Sequence, residues 1–158
     1  MLQRIQSVYL AIASLALITV YFFPLASFLS DISYAQFFIT HIVSLTPGAE
    51  IPVKNSTIMP LGVFNGIIAA ILLLTIFLYK RRLYQSRMVK LCILMTIILV
   101  ALVFFVYSPL LTRALATEAD YTDNFGLYLI LISLVMQILA NRGIMKDERL
   151  VRSADRLR

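Results

Sequence analysis

The sequence of 158 residues contains one cysteine, one histidine and no tryptophan. A single cysteine, Cys92, excludes an intramolecular disulfide and any metal site built from several thiolates. Charged residues are also scarce: they make up 14% of the chain, whereas soluble proteins carry about a quarter. Apolar residues make up 61%, and the mean hydropathy is +0.90. Because a water-soluble domain of this size could not bury so much apolar surface, the composition predicts a membrane protein.

Four long segments contain no Asp, Glu, Lys, Arg or His, and each is close to or above the roughly 20 residues that cross a bilayer. These segments are 5–30, 55–79, 91–112 and 124–141. They predict an all-α membrane protein that folds as a bundle of four transmembrane helices. We place the helices at about 5–23, 60–80, 88–108 and 123–141, within a single membrane domain, 1–158. Gly143 is predicted to end the fourth helix. The first helix is interpreted as a retained anchor, because its apolar stretch is long for a signal peptide.

The lack of charge within these segments disfavours several activities. Proton relays, ion-coupled transporters and voltage sensors place ionisable side chains at membrane depth, and the four segments have none. The chain also has no glycine-rich phosphate loop and no evident pairing of a nucleophile with a base. The sequence therefore predicts no catalytic residue, no metal site and no cofactor, and favours a protein that is not an enzyme.

Basic residues lie almost entirely on one side of the predicted membrane. Twelve of the fourteen Lys and Arg residues precede the first segment, separate the second from the third, or follow the fourth. Only Lys54 and Arg113 fall on the opposite side. This distribution follows the positive-inside rule and predicts that both termini are cytoplasmic. It also accounts for the pI of about 9.7, so we predict the lipid bilayer, and no nucleic acid, as a partner.

A fifth uncharged window, 32–49, is rejected as a span because it is rich in polar side chains. A fifth crossing would also move the basic cluster at 80–90 to the opposite side from Arg4. We assign the window to an outer loop, 24–59. Within that loop, the β-prone run 37–43, a turn at Pro47-Gly48 and a returning run at 51–58 predict a small β-hairpin.

Small residues mark one face of the second predicted helix. Gly62, Gly66 and Ala70 are spaced by four, which lets another helix approach closely. Asn65 and Gln137 are polar groups at membrane depth and are predicted to form hydrogen bonds between helices. The alternative is a small oligomeric transporter or pore in which copies of the chain line a path with polar side chains. That path would be lined by Asn65, Thr75, Thr96, Ser133 and Gln137.

The tail at 142–158 carries six basic and three acidic residues, with apolar residues at helical spacing. We predict an amphipathic helix that lies near anionic lipid headgroups. The residues expected to make that contact are Arg149, Arg152, Arg156 and Arg158. The alternative is docking of the tail to a cytoplasmic protein.

His41 supports a second alternative, an enzyme or a metal-binding protein that acts at the outer face. In that hypothesis His41 joins Glu118, Asp120 and Asp123 around a divalent cation, although the spacing matches no specific motif. Asn55-Ser56-Thr57 is formally a glycosylation sequon, and we interpret it instead as a cap for a helix that begins at Pro60.

Both ends of the chain carry specific motifs, MLQRIQSVYL at 1–10 and KDERLVRSADRLR at 146–158. These motifs resemble the Bacteroidota membrane proteins grouped as domain of unknown function 4293. The resemblance covers essentially the whole chain and implies a bacterial inner-membrane protein, with no activity to carry over. The four-span layout with a β-bearing first outer loop also looks like claudins, but their paired outer-loop cysteines are absent. We expect an accessory or scaffold subunit of a membrane assembly, whose partner is a membrane protein or a second copy.

Overall fold

A computed structural model describes residues 2–29, 34–46, 53–78, 82–115 and 120–156. Within them the helices are α1 Leu2–Thr19, α2 Asn55–Phe77, α3 Arg82–Leu102, α4 Ser108–Leu115 and α5 Phe125–Arg156. A 3₁₀ turn, Val20–Phe22, prolongs α1, and a π turn, Val103–Tyr107, joins α3 to α4. Four of these helical segments are long and apolar enough to cross a membrane. The predicted four-helix fold class is therefore confirmed.

The helices pack as a ring of four. α1 contacts α2 and α5, and α3 contacts the same two helices from the other side. The centre of the ring is filled by fully buried aliphatic side chains, among them Leu10, Leu17, Ile68, Leu72, Leu99 and Ile130. Large apolar side chains also cover the outside, such as Leu15, Leu74, Leu94 and Val135. A helix that is apolar all round belongs in a protein core or a bilayer, and these outer faces have no protein cover.

An antiparallel sheet of four short strands closes one end of the bundle. The strands are β1 Ala26–Leu29, β2 Tyr34–Phe37, β3 Ile42–Ser44 and β4 Asp120–Asp123, in the order β3-β2-β1-β4. The small hairpin predicted in the first outer loop is confirmed. The sheet also recruits β4 from the second connection on the same side, which the sequence analysis did not anticipate. Leu29 pairs with Tyr34 on one side and with Asp120 on the other.

Side chains that alternate along the strands attach the sheet to the helices. Ala26, Phe28, Ala35, Phe37 and Ile42 are buried on the face toward the bundle. The Phe37 ring stacks on Tyr107 of the π turn, with centroids 6.2 Å apart. We call this end of the molecule the sheet end. The opposite end, which holds the start of α1 and the last part of α5, is called the terminal end.

The strand positions predicted within the outer loop were only partly right. The run 37–43, predicted as one strand, contains the end of β2 at Phe37, a turn at 38–41 and the start of β3 at Ile42. The turn is closed by a hydrogen bond of 2.8 Å from Phe38 N to His41 O. The predicted returning strand 51–58 is helical from Asn55 onward, while residues 51 and 52 lie outside the described residues. The helix also starts five residues before Pro60, which lies inside it. Asn55 Oδ1 accepts a hydrogen bond from Ile42 N, so this side chain ties the helix start to β3.

Gly143 does not end the fourth helix, contrary to prediction. α5 runs for 32 residues, from Phe125 through Gly143 to Arg156, so the described part of the tail prolongs the spanning helix. A Cβ atom at Gly143 would lie 3.0 Å from Gln6 Cγ. The glycine is therefore used for close approach of α1 rather than for a helix stop.

Candidate functional site

A chain of hydrogen bonds connects three helices near the middle of the bundle. Gln137 Nε2 on α5 donates to Thr96 Oγ1 on α3 at 3.0 Å and to Ser133 Oγ at 3.1 Å. Ser133 Oγ donates onward to the carbonyl of Ala13 on α1 at 2.9 Å, and Thr96 Oγ1 donates to the Cys92 carbonyl at 2.8 Å. Gln137, Ser133 and Thr96 are fully buried. Each hydroxyl thus has both a donor and an acceptor role within the bundle.

Asn65 makes the corresponding contact between α2 and α1. Its Nδ2 donates to the Leu17 carbonyl at 3.0 Å, while its Oδ1 has no hydrogen-bond partner among the described residues. Thr75, lower on α2, donates to its own helix at Ile71 O, and its carbonyl accepts from Gln85 Nε2 of α3. Asn65 and Gln137 thus both bond to a neighbouring helix of the same chain.

These positions bear directly on the proposed path through an oligomer. Asn65, Thr75, Thr96, Ser133 and Gln137 have at most 1% of their surface exposed, all inside one bundle. Copies that met side by side would bring together the aliphatic outer faces instead. A path between copies would therefore not meet these polar groups.

Two of the three small residues of α2 are in contact with other parts of the same chain. A Cβ atom at Gly62 would lie 2.5 Å from Thr40 Cγ2 in the β2–β3 turn. A Cβ atom at Gly66 would lie 2.9 Å from Tyr21 Oη, whose hydroxyl donates to the Gly62 carbonyl at 2.6 Å. Ala70 is exposed on the outside of the bundle. The lack of a side chain at Gly62 thus lets the β2–β3 turn pack against α2, and at Gly66 it lets Tyr21, just after α1, do the same.

The motifs at the two ends of the sequence meet at the terminal end. Gln6 Nε2 on α1 donates to Asp147 Oδ2 on α5 at 2.5 Å, across a separation of 141 residues. Gln6 is 5% exposed and Asp147 is 6% exposed, so the carboxylate is largely withdrawn from solvent. Burying an unpaired charge is costly, and the carboxamide donor offsets part of that cost. The sequence analysis missed this pair, because Asp147 lies in a motif that is rich in charged residues and nothing local singles it out.

A second contact, at the same height along α5, joins α3 to α5. Ser86 Oγ donates to Asn141 Oδ1 at 2.9 Å and lies 3.3 Å from Met145 Sδ. With Gln6, Gly143 and Asp147 it fixes α5 against two neighbours just before its last turns. Gln85 and Ser86 lie within the basic cluster at 80–90, in which the sequence analysis considered only the cations.

Cations form a row on the exposed side of α5 beyond these contacts. Arg142, Lys146 and Arg149 are exposed and follow a spacing of four and three, which places them on one helix face. Positions 152 and 156 continue that spacing along the helix backbone, although their side chains, and Arg158 altogether, lie outside the described residues. We call Arg142, Lys146 and Arg149 with positions 152 and 156 the cationic row.

The end of α5 projects beyond α1. The Gln6–Asp147 contact fixes the antiparallel register, so Leu2 is level with about residue 151, four residues further along α5. Residues 152–156 then extend about 7 Å past the first described residue of α1, at about 1.5 Å per residue.

The residues proposed for an outer-face metal site do not assemble among those described. His41 stacks on Phe38, with centroids 4.8 Å apart, and its Nδ1 lies 2.9 Å from Thr40 Oγ1. It adjoins β3, whereas Asp123 ends β4 at the opposite edge of the sheet, about 14 Å away at a strand spacing of roughly 4.8 Å. Glu118 and the Asp120 side chain lie outside the described residues. Within the described ranges no group of three His, Cys, Asp or Glu residues is placed to hold a metal ion.

The outer face of the sheet carries a small polar cluster. Tyr34 Oη lies 3.4 Å from Ser27 Oγ and accepts a hydrogen bond from Gln36 Nε2 at 3.2 Å, while Asn124 Nδ2 donates to Ser27 Oγ. The hydrogen bond with Ser27, and then that with Gln36, lowers the pKa of Tyr34 because both favour the phenolate. The cluster links β1, β2 and the start of α5.

Comparison with known families agrees with the motifs at the chain ends. The sequence matches the family described as Domain of unknown function (DUF4293) over residues 2–157, which is nearly its full length. No curated protein sequence matches the chain. The match includes Gln6 and Asp147, the two residues through which the end motifs touch. The chain belongs to the DUF4293 family.

Proposed function

We propose that the protein is a multi-pass protein of a bacterial inner membrane and a non-enzymatic accessory or scaffold subunit of a membrane assembly. Its contact surface is the cationic row at the terminal end, and its partner is a membrane protein with an acidic surface on the cytoplasmic side. The observation that carries the proposal is the continuation of α5 to Arg156 as one helix, past the start of α1.

The length of α5 favours a protein partner over lipid headgroups. About 20 residues cross the hydrocarbon core, and the 32 residues of α5 span roughly 48 Å at about 1.5 Å per residue. Packing of Gly143 and Asp147 against α1 keeps this helix in line with the bundle. The last turns therefore stand clear of the bilayer, where a polar partner surface can reach them.

The interior of the bundle supports a structural rather than a transport role. Its buried polar side chains hydrogen-bond to neighbouring helices of the same chain, as Gln137, Ser133 and Asn65 do. None of these three is left on the outer surface to meet a substrate. This arrangement suits a rigid anchor that holds a cytoplasmic contact in place.

Site-specific photo-crosslinking in the native membrane tests the proposal. We expect a photoreactive residue at Arg149 to form an adduct with one discrete membrane protein. Lys90, also exposed and basic on the same side of the predicted membrane, is the matched control position and is expected to form none. Substitution of Arg149 and Arg152 by Gln should also abolish co-purification of that protein, whereas Arg87→Gln with Lys90→Gln should retain it.

Two results would count against the accessory role. Adducts with lipid alone at Arg149 would place the tail on the bilayer surface, as first predicted from the sequence. Equal loss of the partner in both pairs of variants would mean that net charge, rather than the cationic row, retains it.

A further inference from the structure

A groove runs along the outside of the third spanning segment near the sheet end. Its volume is about 580 Å³, and it is open along one side to the surroundings. It is lined by Phe105, Val106, Pro109, Leu110, Arg113 and Ala114. The lining residues form three adjacent pairs, 105–106, 109–110 and 113–114, each about one helical turn from the next. The groove therefore follows the helix axis.

The backbone at this groove is irregular for an identifiable reason. Pro109 has no N–H to donate to the Phe105 carbonyl, and its ring crowds that carbonyl in a regular helix. The helix widens just before it into the π turn Val103–Tyr107, where Ser108 N–H bonds to the Val103 carbonyl. The extra residue rotates the chain by about 100°, since an α-helix turns once in 3.6 residues. The groove begins at this change of phase, beside Phe105 and Val106.

The groove is apolar at one end and cationic at the other. Phe105, 81% exposed, lies on the side toward the membrane centre, and Arg113 lies eight residues further toward the sheet end. The two are about 12 Å apart along the axis at roughly 1.5 Å per residue. Arg113 is exposed and forms no hydrogen bond or ion pair with the residues that the structure describes. Lys54, the other cation of the sheet end, is not part of the groove.

We propose that this groove binds one phospholipid with an anionic headgroup, taken from the leaflet on the sheet side. One acyl chain packs along Phe105, Val106 and Leu110, and the phosphate accepts hydrogen bonds from the Arg113 guanidinium. An arginine suits this contact because its planar fork can bond two phosphate oxygens at once. The site rests on the membrane location proposed above. It differs from ordinary lipid contact in combining a shallow apolar groove with a cation at one end.

Native mass spectrometry of the full-length, detergent-purified protein tests this site. We expect one molecule of phosphatidylglycerol to bind about tenfold more tightly than phosphatidylethanolamine, because the ammonium group of the latter cancels the phosphate charge and is repelled by Arg113. Arg113→Gln should remove that preference. Lys54→Gln removes the same charge from the same end and should leave the preference intact. Val106→Trp fills the groove and should weaken binding of both lipids.

Equal affinity of the wild-type protein for the two lipids would overturn the proposal without any variant. Equal losses in Arg113→Gln and Lys54→Gln would overturn it as well, because general charge attraction would then suffice. Displacement of the bound lipid by inorganic phosphate alone would contradict the role of the apolar groove. Membrane fractionation separates this inference from the proposed function: a protein absent from the membrane defeats both, whereas a membrane protein without lipid preference defeats only the lipid site.

Discussion

At the residue scale, buried polar side chains decide how tightly the helices of this bundle are held. In a bilayer the hydrophobic effect contributes little to helix association, so interhelical hydrogen bonds and close packing contribute a larger share of the stability. Gln137 bonds to both Thr96 and Ser133, and yet each of those hydroxyls keeps a carbonyl acceptor of its own. The network therefore tolerates loss of one member better than a charged pair would.

Replacement of Gln137 by Leu tests the worth of this network. We expect a loss of about 1 kcal/mol in the free energy of unfolding, the usual size of an interhelical hydrogen bond in a membrane. Unfolding in mixed detergent micelles, followed by circular dichroism, measures it. The exposed Val135→Leu change on the same helix is the control and should have no effect. Equal stability of Gln137→Leu and the wild type would show that the hydrogen-bond network does not stabilise the bundle.

A second prediction concerns Gly62, whose lack of a side chain allows the β2–β3 turn to pack against α2. Gly62→Ala would place a Cβ atom 2.5 Å from Thr40 Cγ2, and overpacking of this kind costs about 1–3 kcal/mol. Thr40→Ser removes that methyl group, so the double variant should recover most of the lost stability. Ala70→Val, on the exposed side of the same helix, is the control. A double variant as unstable as Gly62→Ala would show that the contact with Thr40 is not the cause.

Tyr34 offers a test by titration. Its pKa is lowered chiefly by the hydrogen bond with Ser27, so Ser27→Ala should raise the pKa of Tyr34 toward its ordinary value. Because the folded pKa lies below the unfolded one, ionised Tyr34 adds stability above the unfolded pKa, and this gain is lost as the pH falls through the folded pKa. Ultraviolet difference titration measures the shift, with Tyr34→Phe identifying the transition. A downward shift in Ser27→Ala would contradict the assignment.

At the element scale, the sequence predicted the helices better than the turns. Charge-free length is a strong signal, and all four predicted spans overlap observed helices. Strand positions failed because local β-propensity cannot tell a strand from a tight turn of similar composition, as Phe38 and Ile39 show. Gly143 was misread for a related reason: a glycine near the end of an apolar stretch signals a helix stop, but only the packed fold reveals that Gln6 occupies the space beside it.

The continuity of α5 is open to direct measurement. Spin labels at Arg142 and Ser153 lie eleven residues apart, so a straight helix separates their backbones by about 16 Å at about 1.5 Å per residue. We expect a single narrow distance distribution from pulsed electron resonance in lipid nanodiscs. A tail that bends onto the bilayer after Asn141 would give a broader distribution at a different distance.

At the scale of the whole molecule, the chain separates two chemically different ends across one apolar bundle. The sheet end is closed by short strands and holds Lys54 and Arg113 as its only cations in the sequence. The terminal end joins both end motifs through Gln6 and Asp147 and carries the cationic row. Sequence patterning predicted which residues share an end, since that follows from counting spans. It could not predict that residues 141 apart would touch, because no local signal encodes the register between α1 and α5.

The most direct test of the account is the accessibility of the two ends in intact cells. In a Cys92→Ala background, single cysteines at Val43 on the sheet and Arg149 on the cationic row are exposed to a membrane-impermeant maleimide. We predict labelling at Val43 before lysis and at Arg149 only after the membrane is opened. Labelling of Arg149 in intact cells, with Val43 protected, would reverse the orientation and remove the proposed cytoplasmic contact.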